Sequence, residues 1–142
     1  MRQYLTIALL WISASAFAQE PSGVIDKKVH KMVMQFTAGD SIQQMSVVIQ
    51  VGNIREAWPN AKIEVICHGP GLDLLIAAKS KVGKQVGSLS SEGVVFAACN
   101  NSMKRRKVKK EDLLSSSIVV PSAMLELVSK QEENWAYVKG GN

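Results

Sequence analysis

Several residue types are scarce in this chain of 142 residues. It has two cysteines and two histidines, too few for a disulfide-dense scaffold or for a metal site built from histidines. Four prolines and ten glycines exclude a collagen-like or linker-dominated chain. No apolar run approaches the ~20 residues that cross a bilayer, so we expect no membrane span in the mature chain. The composition is 46% hydrophobic and 20% charged, which is typical of a globular domain.

The first 18 residues are typical of a secretory signal peptide. Arg2 supplies a positive charge, residues 5–12 are mostly apolar, and Ala16-Phe17-Ala18 has the small-x-small pattern of a cleavage site. We therefore predict cleavage after Ala18 and a periplasmic or otherwise exported protein, with a retained anchor as the alternative. Residues 19–28 are predicted to be a flexible lead-in, and residues 29–142 a single domain. Since exported proteins rarely meet nucleic acid, the net charge of +5 indicates a docking surface or a solvated face, with no nucleic acid as partner.

Strand-like and helix-like segments alternate along the domain. The apolar patterns predict strands over residues 29–37, 62–67, 93–98, 117–120 and 135–138. Helical segments are predicted over residues 41–57, 72–78, 81–89, 99–107 and 121–133. Pro121 is expected in the first turn of the last helix, where its missing N–H costs nothing. This alternation predicts an α/β sandwich with a mainly parallel sheet.

The helix predicted over residues 41–57 has two apolar stripes. Asp40 or Ser41 is expected to cap its start by accepting hydrogen bonds from free N–H groups. The first stripe consists of Ile42, Met45, Ile49 and Gly52, and the second of Val47, Val51, Ile54 and Trp58. One stripe would cover the sheet. The other has no partner in a lone domain, which indicates a subunit interface.

Cys99 is the strongest nucleophile in the loops at the carboxyl ends of the strands, where chemistry collects in open α/β sheets. It ends the third predicted strand and begins a helix, so free backbone N–H groups would stabilise its thiolate and lower its pKa from the usual ~8.5. The alternative is a buried, inert thiol. The basic run of residues 104–110 adds positive charge, and it is either a solvated helix face or a partner-docking site.

The second strand brings Cys67 and His68 to the same edge of the sheet. Cys67 is either a core residue or, in an oxidising compartment, a disulfide partner of Cys99. His68 either supports the thiolate as a hydrogen-bonding or acid–base partner, or it is a turn residue bonded to a carbonyl. The other candidate residues in these loops are Asp40, Gly69, Gly71, Asn100 and Asn101. Gly69 and Gly71 are expected to supply positive φ and close backbone approach. We predict a structural role for His30, and neither a cofactor nor a metal.

Six motifs follow one another in a fixed order along the domain. They are Phe36-Thr37-Ala38-Gly39-Asp40, Val65-Ile66-Cys67-His68-Gly69-Pro70-Gly71, Gly93-Val94-Val95-Phe96-Ala97-Ala98-Cys99-Asn100-Asn101-Ser102, Glu111-Asp112-Leu113-Leu114, Val120-Pro121-Ser122-Ala123 and Gln131-Glu132 leading to Trp135-Ala136-Tyr137-Val138. Together they resemble the DsrE/DsrF-like family of small sulfur-relay proteins. The resemblance covers the chain from about residue 28 to residue 139. It implies a three-layer α/β/α sandwich with a five-stranded, mainly parallel sheet (DsrEFH-like), assembled as trimers or hexamers.

The same resemblance implies that a cysteine after the third strand, here Cys99, carries sulfane sulfur as a persulfide, with His68 on the neighbouring loop. The leading hypothesis is therefore an extracytoplasmic sulfur-handling protein, a carrier rather than a turnover enzyme. Its partners would be sulfur donor and acceptor proteins or small sulfane-sulfur compounds. Two alternatives stay open: a non-catalytic oligomeric module that binds a small ligand or partner, and a thiol–disulfide redox protein that cycles Cys67 and Cys99.

Overall fold

A computed structural model describes residues 28–141, in which strands and helices alternate. The predicted signal peptide and residues 19–27 lie outside the described residues. The strands are β1 (Lys31–Phe36), β2 (Lys62–Cys67), β3 (Val95–Cys99), β4 (Ser117–Val120) and β5 (Ala136–Lys139). The α-helices are α1 (Ser41–Ala57), α2 (Gly83–Ser91), α3 (Asn100–Arg106) and α4 (Ala123–Glu132), with short 3₁₀ helices at Gly69–Leu74 and Lys110–Asp112.

The five strands form one sheet in the order β4-β3-β2-β1-β5. Every neighbouring pair is parallel, which confirms the predicted α/β class. Because parallel strands all point the same way, their carboxyl ends meet at one edge, and the loops that follow β1, β2, β3 and β4 lie there together.

Helices cover both faces of the sheet, so the three-layer sandwich is also confirmed. On one face, α1, α2 and α3 contribute Val51, Val86 and Met103 to the larger apolar cluster. On the other face, α4 packs Ala123 and Leu127 into a smaller cluster with residues of β1 to β4. No helix among residues 28–141 has both the length and the hydropathy of a bilayer crossing.

Helix α1 has the predicted bounds and the predicted cap. The carboxylate of Asp40 accepts a hydrogen bond from the backbone N–H of Gln43 at 3.0 Å, which satisfies one of the free donors of the first turn. Val47 and Val51 on the second stripe are fully buried against the sheet. The first stripe faces outward, with Ile42 77% exposed. No other part of residues 28–141 covers this outward stripe.

Two local predictions were wrong. Helix α4 begins at Ala123 after the N-cap residue Ser122, so Pro121 precedes the helix instead of occupying its first turn. The segment predicted as helical over residues 72–78 is a 3₁₀ helix at Gly69–Leu74. Gly69 has a φ of +56°, which favours glycine, and the proline that follows it starts the tight turn earlier than the apolar pattern indicated.

Gly71 makes the close backbone approach that its position predicted. A Cβ at this residue would lie against the backbone carbonyl group of Phe36, with the carbonyl carbon at 2.8 Å. The Gly69–Leu74 segment therefore packs directly on the end of β1, and this contact fixes the height of the loop above the sheet edge.

Candidate functional site

Cys99 lies at the carboxyl edge of the sheet, where β3 ends and α3 begins. It is the N-cap residue of α3, and 4% of its surface is exposed. Its side chain nevertheless lines a cavity of about 480 Å³ between the end of β2, helix α3 and the start of α4. His68, Ser102, Arg105 and Ser122 also line this cavity. Cys99 is therefore almost completely buried and yet borders this cavity.

Hydrogen bonds to Cys99 Sγ favour its thiolate form. Burial acts to raise the pKa of Cys99, but N–H and O–H donors outweigh it, and the pKa lies below the ordinary value of a thiol. The donors are the backbone N–H of Ala123, at 3.3 Å from Sγ, the backbone N–H and hydroxyl of Ser102, and the backbone N–H of Asn101. Two helices thus contribute donors to one sulfur atom.

Ser102 connects the sulfur to the Gly69–Leu74 loop. Its side chain is buried, and its hydroxyl oxygen accepts a hydrogen bond from the backbone N–H of Gly69 at 2.9 Å. Because that oxygen is already an acceptor, the hydroxyl proton is available for the thiolate. Arg106 holds the same loop by donating to the Gly69 carbonyl at 2.8 Å and to the carboxylate of Asp73. The loop and α3 therefore form one hydrogen-bonded unit around the sulfur.

His68 is held as a neutral imidazole. Its Nε2 lies 2.8 Å from Nε2 of Gln35, whose Oε1 accepts a hydrogen bond from the Tyr137 hydroxyl. An amide nitrogen can only donate, so His68 Nε2 is the acceptor and the ring proton is on Nδ1. Burial lowers the pKa of His68, and the positive charge of Arg105 lowers it further. His68, which lines the cavity, is thus neutral, and Nδ1–H is the one ring N–H that it can donate.

Cys67 and Cys99 lie on opposite faces of the sheet. Cys67 is paired in register with Ala98, so the next residue, Cys99, points to the other face because side chains alternate along a strand. Cys67 belongs to the cluster under α1 and α2, and Cys99 to the cluster under α4. Both thiols are free, and complete burial raises the pKa of Cys67 far above its ordinary value. The structure therefore favours the core interpretation of Cys67 and contradicts the suggested disulfide.

The remaining predicted site residues separate into two groups. His68 and Asn101 line the cavity with Cys99, and Gly69 is bonded to Ser102 beside it. The predicted residues that do not line it are Asp40, Cys67, Gly69, Gly71 and Asn100. Asp40 caps α1 instead.

Gln35, Ser102 and Ser122 also contribute to this site, although the sequence patterns did not predict them. Ser102 had a usable signal, because a residue three positions after Cys99 returns to the same side of a helix. Ser122 follows β4 at the same sheet edge. The contact of Gln35 with His68 could not be predicted from neighbouring residues, because 33 positions of the chain separate the two.

No metal site was found among residues 28–141, where no three His, Cys, Asp or Glu side chains lie close enough to hold an ion. His30 stacks instead on Trp58, with 4.1 Å between the ring centroids. This contact lies at the amino end of β1, away from Cys99.

Comparisons with known proteins identify the fold. The sequence matches the model of the DsrE/DsrF-like family over residues 10–139. No curated protein matches it significantly. Among solved structures, the protein of unknown function MTH1491 from Methanobacterium thermoautotrophicum is 27% identical, with a TM-score of 0.74 over 78% of this chain and 98% of its own. The ychN protein from E. coli is 12% identical, with a TM-score of 0.66 over 78% and 99% of the two chains.

Proposed function

The chain belongs to the DsrE/DsrF-like family, and we propose that it carries sulfane sulfur as a persulfide on Cys99. The observation that carries the proposal is the position of Sγ, which receives hydrogen bonds from two helices and lines a cavity of about 480 Å³. A thiolate is the nucleophilic form of cysteine. A stabilised thiolate at a cavity can therefore attack a sulfur atom that enters the cavity.

The transfer step needs no external oxidant or reductant. Cys99 Sγ attacks the terminal sulfane sulfur of a donor, a new S–S bond forms, and the S–S bond of the donor breaks. The electron pair of the broken bond leaves on the donor as a thiolate, which balances the charge of the attacking Cys99 thiolate. The transferred sulfur keeps the negative charge or the proton that it had in the donor. The same exchange in reverse passes the sulfur to an acceptor thiolate. This is the chemistry of a carrier, with His68 and Ser102 as hydrogen-bond donors.

Intact mass spectrometry after exposure to inorganic polysulfide tests the proposal. The folded protein should gain the mass of added sulfur, and Cys99→Ser should abolish the gain. Cys67→Ala is the matched control and should keep it, because that thiol is fully buried on the opposite face. A gain that persists in Cys99→Ser would refute Cys99 as the carrier.

A second candidate function rests on the small exposed fraction of Cys99, which is 4%. In this function Cys99 is an unreactive core residue, and the cavity is the binding site of a non-catalytic module for a small ligand or partner. Resistance of Cys99 to alkylation in the folded protein, together with no sulfur gain, would favour this module over the carrier.

We also propose that the chain forms a homo-oligomer, a trimer or hexamer. Its support is the outward stripe of α1, where Ile42, Met45 and Ile49 are exposed, because exposed apolar stripes are typical of subunit interfaces. Light scattering after size-exclusion chromatography should give a trimeric or hexameric mass. A monomeric mass would contradict this part of the proposal.

Export is proposed from the signal-like residues 1–18. Fractionation of cells that produce the full chain should recover it outside the cytoplasm, with an amino terminus at Gln19. Recovery in the cytoplasm with the first 18 residues intact would contradict it.

A further inference from the structure

Positively charged side chains predominate in the lining of the Cys99 cavity. Lys104 and Arg105 both line it, and of the described residues in its lining none is acidic. Neither cation has a carboxylate partner among residues 28–141. With Cys99 as thiolate, two positive charges still face a single negative charge.

The neighbouring cations differ from this pair. Arg106 is paired with Asp73 and Lys130 with Glu64, so carboxylates within the fold already neutralise their charges. Arg105 instead directs its charge at the cavity, where it lowers the pKa of His68. Two cations without carboxylate partners among residues 28–141 therefore lie beside the nucleophile, and such an arrangement favours the approach of an anion.

We infer that the cavity takes sulfur donors that carry an oxyanion group, such as thiosulfate, with that group held by Arg105 and Lys104. This inference rests on the proposed persulfide function and specifies its substrate class. Arginine suits the role because its planar fork of N–H donors fits an oxyanion, and lysine adds a point charge. Asn101 and Ser122 offer further polar groups in the same lining.

The reaction balances with thiosulfate as the donor. Cys99 Sγ attacks the outer, sulfane sulfur, the S–S bond of thiosulfate breaks, and its electron pair leaves on sulfite. The products are the Cys99 persulfide anion and sulfite, so the total charge is unchanged. The cations offset the repulsion between the thiolate and the entering dianion, which would otherwise slow the approach.

The charge preference can be measured without sulfur transfer. Iodoacetate, which is negatively charged, and iodoacetamide, which is neutral, alkylate the same thiolate. Both rates depend equally on the fraction of Cys99 that is thiolate. The iodoacetate rate divided by the iodoacetamide rate therefore reports only the effect of the reagent's negative charge. In the wild-type protein this ratio should exceed that of an uncharged model thiol in the same buffer, and added salt should lower it. Arg105→Gln should reduce the ratio about three- to tenfold, and Lys104→Gln should reduce it in the same direction.

Lys109→Gln is the matched control, since this residue has the same charge and is exposed in the same segment but does not line the cavity. It should leave the ratio nearly unchanged. An equal fall in Lys109→Gln would assign the preference to overall charge and overturn the inference. A wild-type ratio no higher than that of the model thiol would overturn it as well.

Thiosulfate loading separates this inference from the proposed function. Wild-type protein should acquire sulfur from thiosulfate, and Arg105→Gln should slow that loading about three- to tenfold while Lys109→Gln does not. Loading by polysulfide without any loading by thiosulfate would refute the oxyanion inference and leave the persulfide carrier standing. The protein could instead prefer iodoacetate through Arg105 and Lys104 and yet acquire sulfur from neither polysulfide nor thiosulfate. That result would refute the persulfide carrier and leave only the attraction of the cavity for anions.

Discussion

Replacing Ser102 by alanine should make Cys99 a weaker nucleophile near neutral pH. The change removes one hydrogen bond donated to Sγ by a buried hydroxyl, and it leaves the backbone N–H of Gly69 without its 2.9 Å acceptor. A hydrogen bond to a charged group contributes about 1.5–3 kcal/mol. Because the N–H groups of Ala123, Asn101 and residue 102 itself remain, the lower figure applies, and it corresponds to about a tenfold loss of thiolate below the pKa.

The rate of iodoacetamide alkylation as a function of pH measures this loss. In the wild-type protein the pKa of Cys99 is lowered, so the rate should stay high below the ordinary pKa of a thiol and fall only when pH drops through the lowered value. In Ser102→Ala the fall should occur at higher pH. Cys67 does not interfere, because burial keeps it protonated and inaccessible in the folded protein.

Ser122→Ala is the matched control for this experiment. Ser122 lines the same cavity but makes no side-chain capping bond and donates no hydrogen bond that lowers the pKa of Cys99. Its replacement should leave the pH profile in place. Identical profiles for wild type and Ser102→Ala, or a wild-type profile like that of an unperturbed thiol, would refute the view that these donors activate the sulfur.

Three further variants test the fold and the site. Lys130→Met should lower the free energy of unfolding by about 3–5 kcal/mol, because it leaves the carboxylate of Glu64, 3% exposed, without its 2.8 Å partner. Adding Glu64→Leu should recover most of that loss in denaturant titrations, and a double variant as unstable as the single one would contradict the reason given. Gly71→Ala should lower the melting temperature, because its Cβ has no room; an unchanged melting temperature would argue against that close contact. Gln35→Glu should raise the pKa of His68 in an NMR titration, because a carboxylate beside Nε2 favours the imidazolium, whereas a lower or equal pKa would contradict the hydrogen-bond assignment.

Local signals explain why α1 could be predicted to the residue. Asp40 supplies the cap, and Trp58-Pro59 ends the helix because proline disfavours helical geometry in the residue before it. Both signals act within a few residues of the helix end. The predicted start of α4 was wrong because proline is compatible both with the first turn of a helix and with the bend that precedes it. Only the packing of the loop decides which of the two Pro121 adopts.

The candidate site was predictable in its location but not in its partners. Cys99 follows an apolar strand and precedes a helix, which is enough to place it at the sheet edge. Whether Cys67 shares its face depends on the register of β2 against β3, which is a property of the sheet and not of either segment. The contact between Gln35 and His68 joins two strands in the same way, so it too lay beyond local sequence patterns.

Peptide-level mass spectrometry is the most direct test of Cys99 as a sulfur carrier. The folded protein would be exposed to polysulfide, freed of excess donor, trapped with an alkylating reagent and digested. We predict an additional sulfur atom on the peptide that contains Cys99 and none on the peptide that contains Cys67. Sulfur found on Cys67 instead, or on neither peptide, would contradict the account.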